Sequence, residues 1–220
     1  LIETQEACGM RVMAQFRDLD QEERFVWLRG FADMTARQQG LECFYGGPVW
    51  QRHRDAANAT MIDSSDVRLL RPARPAWAPV TPGLPRQRHD DAEEHPNGTA
   101  APTPLYVLAV LMRPAAIDAA TLRLVEREVL PAWRDAGVPP CAVFATESAC
   151  NDYPRLPVRT DAQALVWLAR VPHAAAWARA QQRLADTPAW AQRALPALQR
   201  GADAALALRR LAPTQRSLLR

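Results

Sequence analysis

The segment FYGGPVWQRHRDAANATM, residues 44–61, gathers side chains that can move protons and hold anions. His53 is a general base suited to neutral pH, and Arg54 or Arg29 can hold an oxyanion or enolate oxygen. Trp50, His53, Arg54 and Ala57 follow i, i+3, i+4, i+7 spacing and share one helix face, with Asp55 and Asn58 on a neighbouring face. Tyr45 and Trp50 can wall a ligand. The same residues also suit local duties: His53 and Arg54 bridging a helix surface, Asp55 pairing with an arginine, Asn58 ending the helix. A second candidate is TESACNDYPRLPVR, where Glu147, Asn151, Tyr153, Arg155 and Arg159 lie on a long loop between strands. Such loops are often functional, and a rigid proline-held hairpin with paired charges is the other reading.

Other chemistries lack their signatures. There is no G-x-S-x-G, no phosphate-loop or dinucleotide glycine pattern, and no histidine with a second ligand at metal spacing, so neither a metal nor a cofactor is expected. Gly46 and Gly47 read as a helix break with permissive dihedrals, and Pro48 removes a donor that a phosphate would use. His89 and His95 flank DDAEE in a proline-rich stretch, where a mobile acidic loop is favoured over a metal site.

The elements that position these residues need a core, and 48% hydrophobic with 23% charged residues is enough to build one. No apolar run approaches the roughly 18 residues of a membrane span, so no membrane partner is expected. All 27 basic residues are arginine, but they are scattered against 24 acids, which argues against a nucleic-acid partner. Cys8, Cys43, Cys141 and Cys150 form no recognisable pair or zinc spacing. That suits reduced thiols, mostly buried, and a cytoplasmic location.

FVWLRGF (25–31) echoes LVWLARV (165–171), and the offset of 140 also relates Pro48 to Pro188 and Trp50 to Trp190. A long-period echo marks a repeated structural unit. In the second copy, LYVLAVLM is a strand, 118–137 an amphipathic helix, and CAVFATES and ALVWLARV the next strands. A helix follows from 173 to about 200, broken at DTP, where Asp186 or Thr187 can cap, and ALALRRLAP closes. Strand, helix, strand, strand, helix, strand is the split βαβ order. The first copy aligns Gly9 with Gly137, then has strands at MRVMAQFRD and FVWLRGF, a broken helix from 33 to about 59, and VRLLRPA. Its counterpart of residues 105–128 is expected upstream of Leu1, on the order of 25 residues.

The fold expected is therefore α+β: two ferredoxin-like repeats forming an α+β barrel, the first lacking its first strand and most of its first helix. Residues 1–73 are the first repeat, 74–104 a proline-rich linker and 105–220 the second. The strands read as apolar runs, implying burial on both faces, which two sheets packed face to face would satisfy. One chain can do this alone, or two chains can exchange copies, so a homo-oligomer is expected.

FVWLRGFADM, FYGGPVWQRHRDAANATMIDSSDVRLLRP, NDYPRLPVR and LVWLARVP together resemble the NIPSNAP family. The resemblance implies ferredoxin-like domains of the dimeric α+β barrel kind. Bacterial members mostly lack an assigned activity, and animal members are mitochondrial and linked to trafficking and mitophagy signalling. Similar barrels include cofactor-free monooxygenases and small-molecule isomerases. Two expectations follow: binding of a small apolar or aromatic molecule with cofactor-free oxygenase or isomerase chemistry, or a non-enzymatic assembly and interaction module. The polar His53, Arg54, Asp55 and Asn58 against Arg193, Ala194, Leu195 and Leu198 in the other copy favour the first, and the lack of any recognised catalytic signature favours the second, so the two stand level.

Overall fold

The structure is a computed structural model, and it describes residues 1–79 and 104–220. His89, His95 and most of the expected linker lie outside the described residues.

The chain opens with α1 (Ile2–Ala7), β1 (Arg11–Asp18), β2 (Phe25–Gly30), α2 (Met34–Gly46), α3 (Pro48–Ala59) and the short β3 (Leu70–Pro72). It continues with β4 (Leu105–Arg113), a helix built of α4 (Ala119–Leu124), a π-helical turn (Val125–Val129) and α5 (Leu130–Asp135), then β5 (Pro140–Thr146) and β6 (Gln163–Val171). It ends with α6 (Ala174–Asp186), a π-helical turn (Ala189–Ala194) running into α7 (Leu195–Gln199), and β7 (Ala207–Pro213). Each π-helical turn is followed within two residues by a helix-interior proline, Pro131 or Pro196. A proline ring clashes with the carbonyl one turn back, and a widened turn relieves that clash.

All seven strands form one antiparallel sheet in the order β2-β1-β7-β4-β6-β5-β3. This corrects the expectation of two sheets packed face to face. The sheet curls into a half-barrel, so side chains from distant strands share its inner face: Phe16 of β1, Phe144 of β5, Val166 of β6 and Leu211 of β7, with Leu70 and Leu28 against them. The outer face of β4, β5 and β6 is covered by helices, and Trp133 packs against Trp167, Trp177 and Trp190 at 5.4–6.0 Å. Burial on both faces, read from the apolar runs, holds for β4 and β6.

The two halves correspond in register. The pairs Val12↔Arg29, Ala14↔Leu28, Gln15↔Trp27 and Phe16↔Val26 of β1 and β2 become Pro140↔Ala169, Ala142↔Leu168, Val143↔Trp167 and Phe144↔Val166 of β5 and β6, and a register shift falls at the same step in both. Gly9 (φ 82) and Gly137 (φ 86) end their helices in the left-handed region that glycine adopts without a Cβ penalty. In both, the next residue's N–H reaches back to a helical carbonyl, Met10 to Gln5 and Val138 to Trp133. Closing strands are exchanged: β3 lies on β5 with Leu70↔Thr146, and β7 lies on β1 with Leu211↔Asp18.

Three local expectations are corrected. Thr187 does not cap with its side chain; its hydroxyl donates back to Arg183 O at 2.6 Å, and its carbonyl accepts from Trp190 and Ala191. The start of the linker is packed, with a 3-10 turn at Pro75–Trp77, Trp77 against the outer-face core and Arg74 paired with Glu126 at 3.0 Å. Cys8 and Cys43 are joined in a disulfide rather than held as free thiols. The packing of α1 on α2 brings them together across 35 residues, a proximity no local spacing signals.

Candidate functional site

Asp33 caps α2, its carboxylate accepting from Ala36 N at 2.7 Å. The helix ends where α3 begins, and Gly47 is needed there for space: a Cβ would stand 2.9 Å from Cys43 O. Its φ of −77° is open to any residue, so close approach and not permissive dihedrals explains Gly47, whereas a Cβ on Gly46 would meet no neighbour within 4 Å. This junction brings the rings of Phe44, Tyr45 and Trp50 within 4.9–5.4 Å of one another.

The loop between β5 and β6 supplies the opposite wall. Asn151 Oδ1 accepts from Tyr153 N and its amide donates to Leu156 O at 2.9 Å, so the loop folds on its own side chain. Tyr153 is thereby buried and lies nearly parallel to Tyr45, centroids 6.0 Å apart and planes at 16°. Buried Arg37 of α2 pairs with Asp152 and ties the loop to the helix. Arg29 at the end of β2 donates to the Tyr45 hydroxyl at 3.5 Å and sits 5.3 Å over the Trp27 ring. Between α2 and the loop opens a cleft of about 460 Å³, lined by Gln38, Glu42, Gly46, Asp152, Tyr153 and Arg155. That volume is within the range of small-molecule sites.

Of the sequence candidates, the structure places Tyr153 and Arg155 on the wall of this cleft, while Tyr45 packs on Tyr153 and Trp50 and Arg29 contact Tyr45 without lining it. It does not bring His53, Arg54, Asp55 or Asn58 there. All four are exposed on α3, which buries no residue. Arg54 bonds Gln51 at 3.2 Å and pairs with Asp55 at 3.3 Å, which are the local duties read for these residues. Glu147 stands at the exit of β5, where its carboxylate accepts from Ala149 N and its own N–H donates to Leu69 O. Arg159 forks onto Asp161, which holds that carboxyl down to about 2.

Arg37, Asp152, Gln38 and Glu42 were missed by sequence reasoning. A signal existed for Arg37: at the offset of 140 it stands where Trp177 is buried in the other half, a charged residue in a core position. Among the described residues no group of three or more His, Cys, Asp or Glu side chains is arranged to hold a metal, and no helix is long and apolar enough to cross a membrane. No family model, curated protein or solved structure matches the chain.

Proposed function

We propose that this chain is a NIPSNAP-like duplicated α+β barrel protein that binds a small planar aromatic molecule, with an acidic group, in the cleft between α2 and the β5–β6 loop. The observation that carries the reading is the parallel Tyr45–Tyr153 pair beside Trp50, with Arg29 on the Tyr45 hydroxyl and Arg155 on the cleft wall. Aromatic faces and edges pack a flat apolar ring, and guanidinium groups hold a carboxylate. The matched registers, the shared glycine turns and the β7-β4-β6-β5 order, which is the ferredoxin-like 4-1-3-2 arrangement of one split βαβ unit, support the duplication. Binding is favoured over proton-transfer chemistry because His53 faces solvent away from the cleft residues.

The test is a titration with benzoate, salicylate and 1-naphthoate, followed by tryptophan fluorescence and calorimetry, on the parent chain and on Trp50→Phe and Tyr153→Leu. Saturable binding weakened by Tyr153→Leu supports the reading. Binding of none of the three, or equal binding in the folded variants, sinks it. A second reading, an assembly module, is favoured by a separate observation: β2 and β3 are unpaired sheet edges among the described residues, and Phe25 and Trp27 on β2 are 51% and 42% exposed.

A further inference from the structure

We propose that the Cys8–Cys43 disulfide is a redox switch for the cleft: exchange with a dithiol reductant frees the last turn of α2 and weakens binding of the aromatic acid. This rests on the reading of the cleft as an aromatic-acid site.

The two halves show what is particular about this bond. Cys8 stands directly before Gly9 as Ala136 stands before Gly137, and Cys43 corresponds to Arg183 at the offset of 140. In the second half the same joint is closed by a hydrogen bond, Arg183 Nη1 donating to Ala136 O at 3.2 Å. Each half therefore ties α2 or α6 to the glycine turn that precedes its strand pair, and the first half alone does so with a bond that a reductant opens. The first half also brings these elements close. α2 has Gly40 where α6 has Ala180, and a Cβ on Gly40 would stand 3.0 Å from Cys8 O.

The reducible joint lies in the half that supplies α2 to the cleft. Cys43 sits between Glu42, which lines the cleft, and Phe44 and Tyr45, whose rings pack on Trp50; Tyr45 also stacks on Tyr153. Gly46, in the same last turn, lines the cleft too. Helix ends fray unless they are tied. Opening the disulfide therefore loosens one wall of the cleft, and re-ordering that turn becomes a cost of binding.

Cys43 is exposed and Cys8 half-buried, so a thiolate of the reductant attacks the Cys43 sulfur. The protein S–S bond breaks, a mixed disulfide forms, and Cys8 leaves as a thiolate that takes a proton. The second thiolate of the reductant then attacks the reductant's own sulfur in that mixed disulfide and releases Cys43, which takes the other proton. The protein disulfide is reduced by two electrons, and the dithiol is oxidised to its cyclic disulfide.

The experiment uses the full chain, oxidised or equilibrated with dithiothreitol without denaturant, and the double variant Cys8→Ser with Cys43→Ser. Arg183→Gln opens the equivalent joint of the other half and is the control. Alkylation after quenching and unfolding counts thiols, calorimetry reads 1-naphthoate binding, and hydrogen exchange reads the amides of residues 42–47 and of Tyr153. Reduction in native buffer should raise the thiols from two to four and speed exchange in both segments. Affinity for 1-naphthoate should fall about fivefold or more on reduction and in the double variant, and stay unchanged in Arg183→Gln. Linkage is reciprocal, so saturating 1-naphthoate should shift the dithiol equilibrium toward the protein disulfide by the same factor, which a bond serving stability alone would not show. Four results overturn the proposal: a disulfide that opens only in denaturant, a chain that unfolds when reduced, equal affinity of the oxidised and reduced folded chains, or an equal loss in Arg183→Gln. Where 1-naphthoate binds neither state, the reading of the cleft fails by itself and amide exchange decides the switch. Faster exchange at residues 42–47 and Tyr153 on reduction then upholds it, and unchanged exchange overturns it.

Discussion

Asp18 is the residue whose removal should most clearly loosen the join between the two halves. It ends β1 opposite Leu211 of β7, and its side chain is fully buried. Oδ1 accepts from the backbone N–H groups of Asp20 and Gln21 at 2.8 and 3.1 Å, and Oδ2 accepts from Arg24 at 3.4 Å and Arg209 at 3.3 Å. One carboxylate thus closes the β1–β2 turn and clamps a strand from the other half. Breaking a buried pair costs about 3–5 kcal/mol when the partner stays buried. Arg24 and Arg209 are partly exposed and regain water, which places Asp18→Ala near the low end, about 3 kcal/mol. Asp18→Asn keeps an acceptor for the turn and loses the charge, so about 1–2 kcal/mol is expected. For a chain of this length about 3 kcal/mol corresponds to a fall in Tm of roughly 6–12 °C. Urea melts at neutral pH check both variants, with m unchanged and the midpoint falling in the order Asn, then Ala. A Asp18→Ala midpoint within error of the parent would refute the clamp.

Three further outcomes are expected. Alkylation of the unreduced, unfolded chain should modify two of its four cysteines, Cys141 and Cys150, and all four after reduction; closure of a 35-residue loop contributes about 3–4 kcal/mol by chain entropy, read as a lower urea midpoint in reductant. Four modified cysteines before reduction would remove the disulfide. Trp167→Ala should cost about 3–5 kcal/mol because the side chain is fully buried, while Trp27→Ala should cost less than about 1 kcal/mol; equal melts would contradict the asymmetry between halves. The Asp161 carboxyl, held down by the Arg159 guanidinium, should titrate near 2 by NMR. The pair's contribution is fully present above the ordinary carboxylate range and lost as pH falls through about 2, and a midpoint at an ordinary value, or one unmoved by Arg159→Gln, counts against the pair.

Much of the fold was legible because its causes are local. β4 and β6 are apolar runs buried on both faces, the helix-ending glycines are read directly, and the echo at an offset of 140 aligns Trp27 with Trp167, which occupy equivalent registers. What stayed hidden is long-range. Exchange of β3 and β7 between halves depends on pairing partners that periodicity does not encode, and so does the Cys8–Cys43 bond. The candidate site was half legible for the same reason. Tyr153 and Arg155, read on a long loop, line the cleft and Tyr45 packs against it, whereas helical spacing grouped His53 and Arg54 with Trp50 on a face that α3 leaves largely in solvent. Spacing places side chains on one face of a helix but does not say what that face meets.

Arg37 connects the site to the stability of the first half. It occupies the core position that Trp177 fills in the other half, is 3% exposed and pairs with Asp152, and one nitrogen of Arg37 and one oxygen of Asp152 are buried without a partner. A pair so incompletely satisfied gains little over an apolar core, yet losing one member strands the other. Arg37→Met alone should therefore cost about 2–3 kcal/mol, less than a fully buried pair because Asp152 keeps some access to water. Arg37→Met with Asp152→Leu should recover most of that loss, as buried ion pairs replaced by apolar residues often do. Binding should separate from stability. Asp152 lines the cleft and the Arg37 pair holds the loop that carries Tyr153, so the double variant should melt near the parent yet bind aromatic acids differently. A double variant no more stable than Arg37→Met would show that the pair contributes net stability, and unchanged affinity in a well-folded double variant would place the ligand elsewhere.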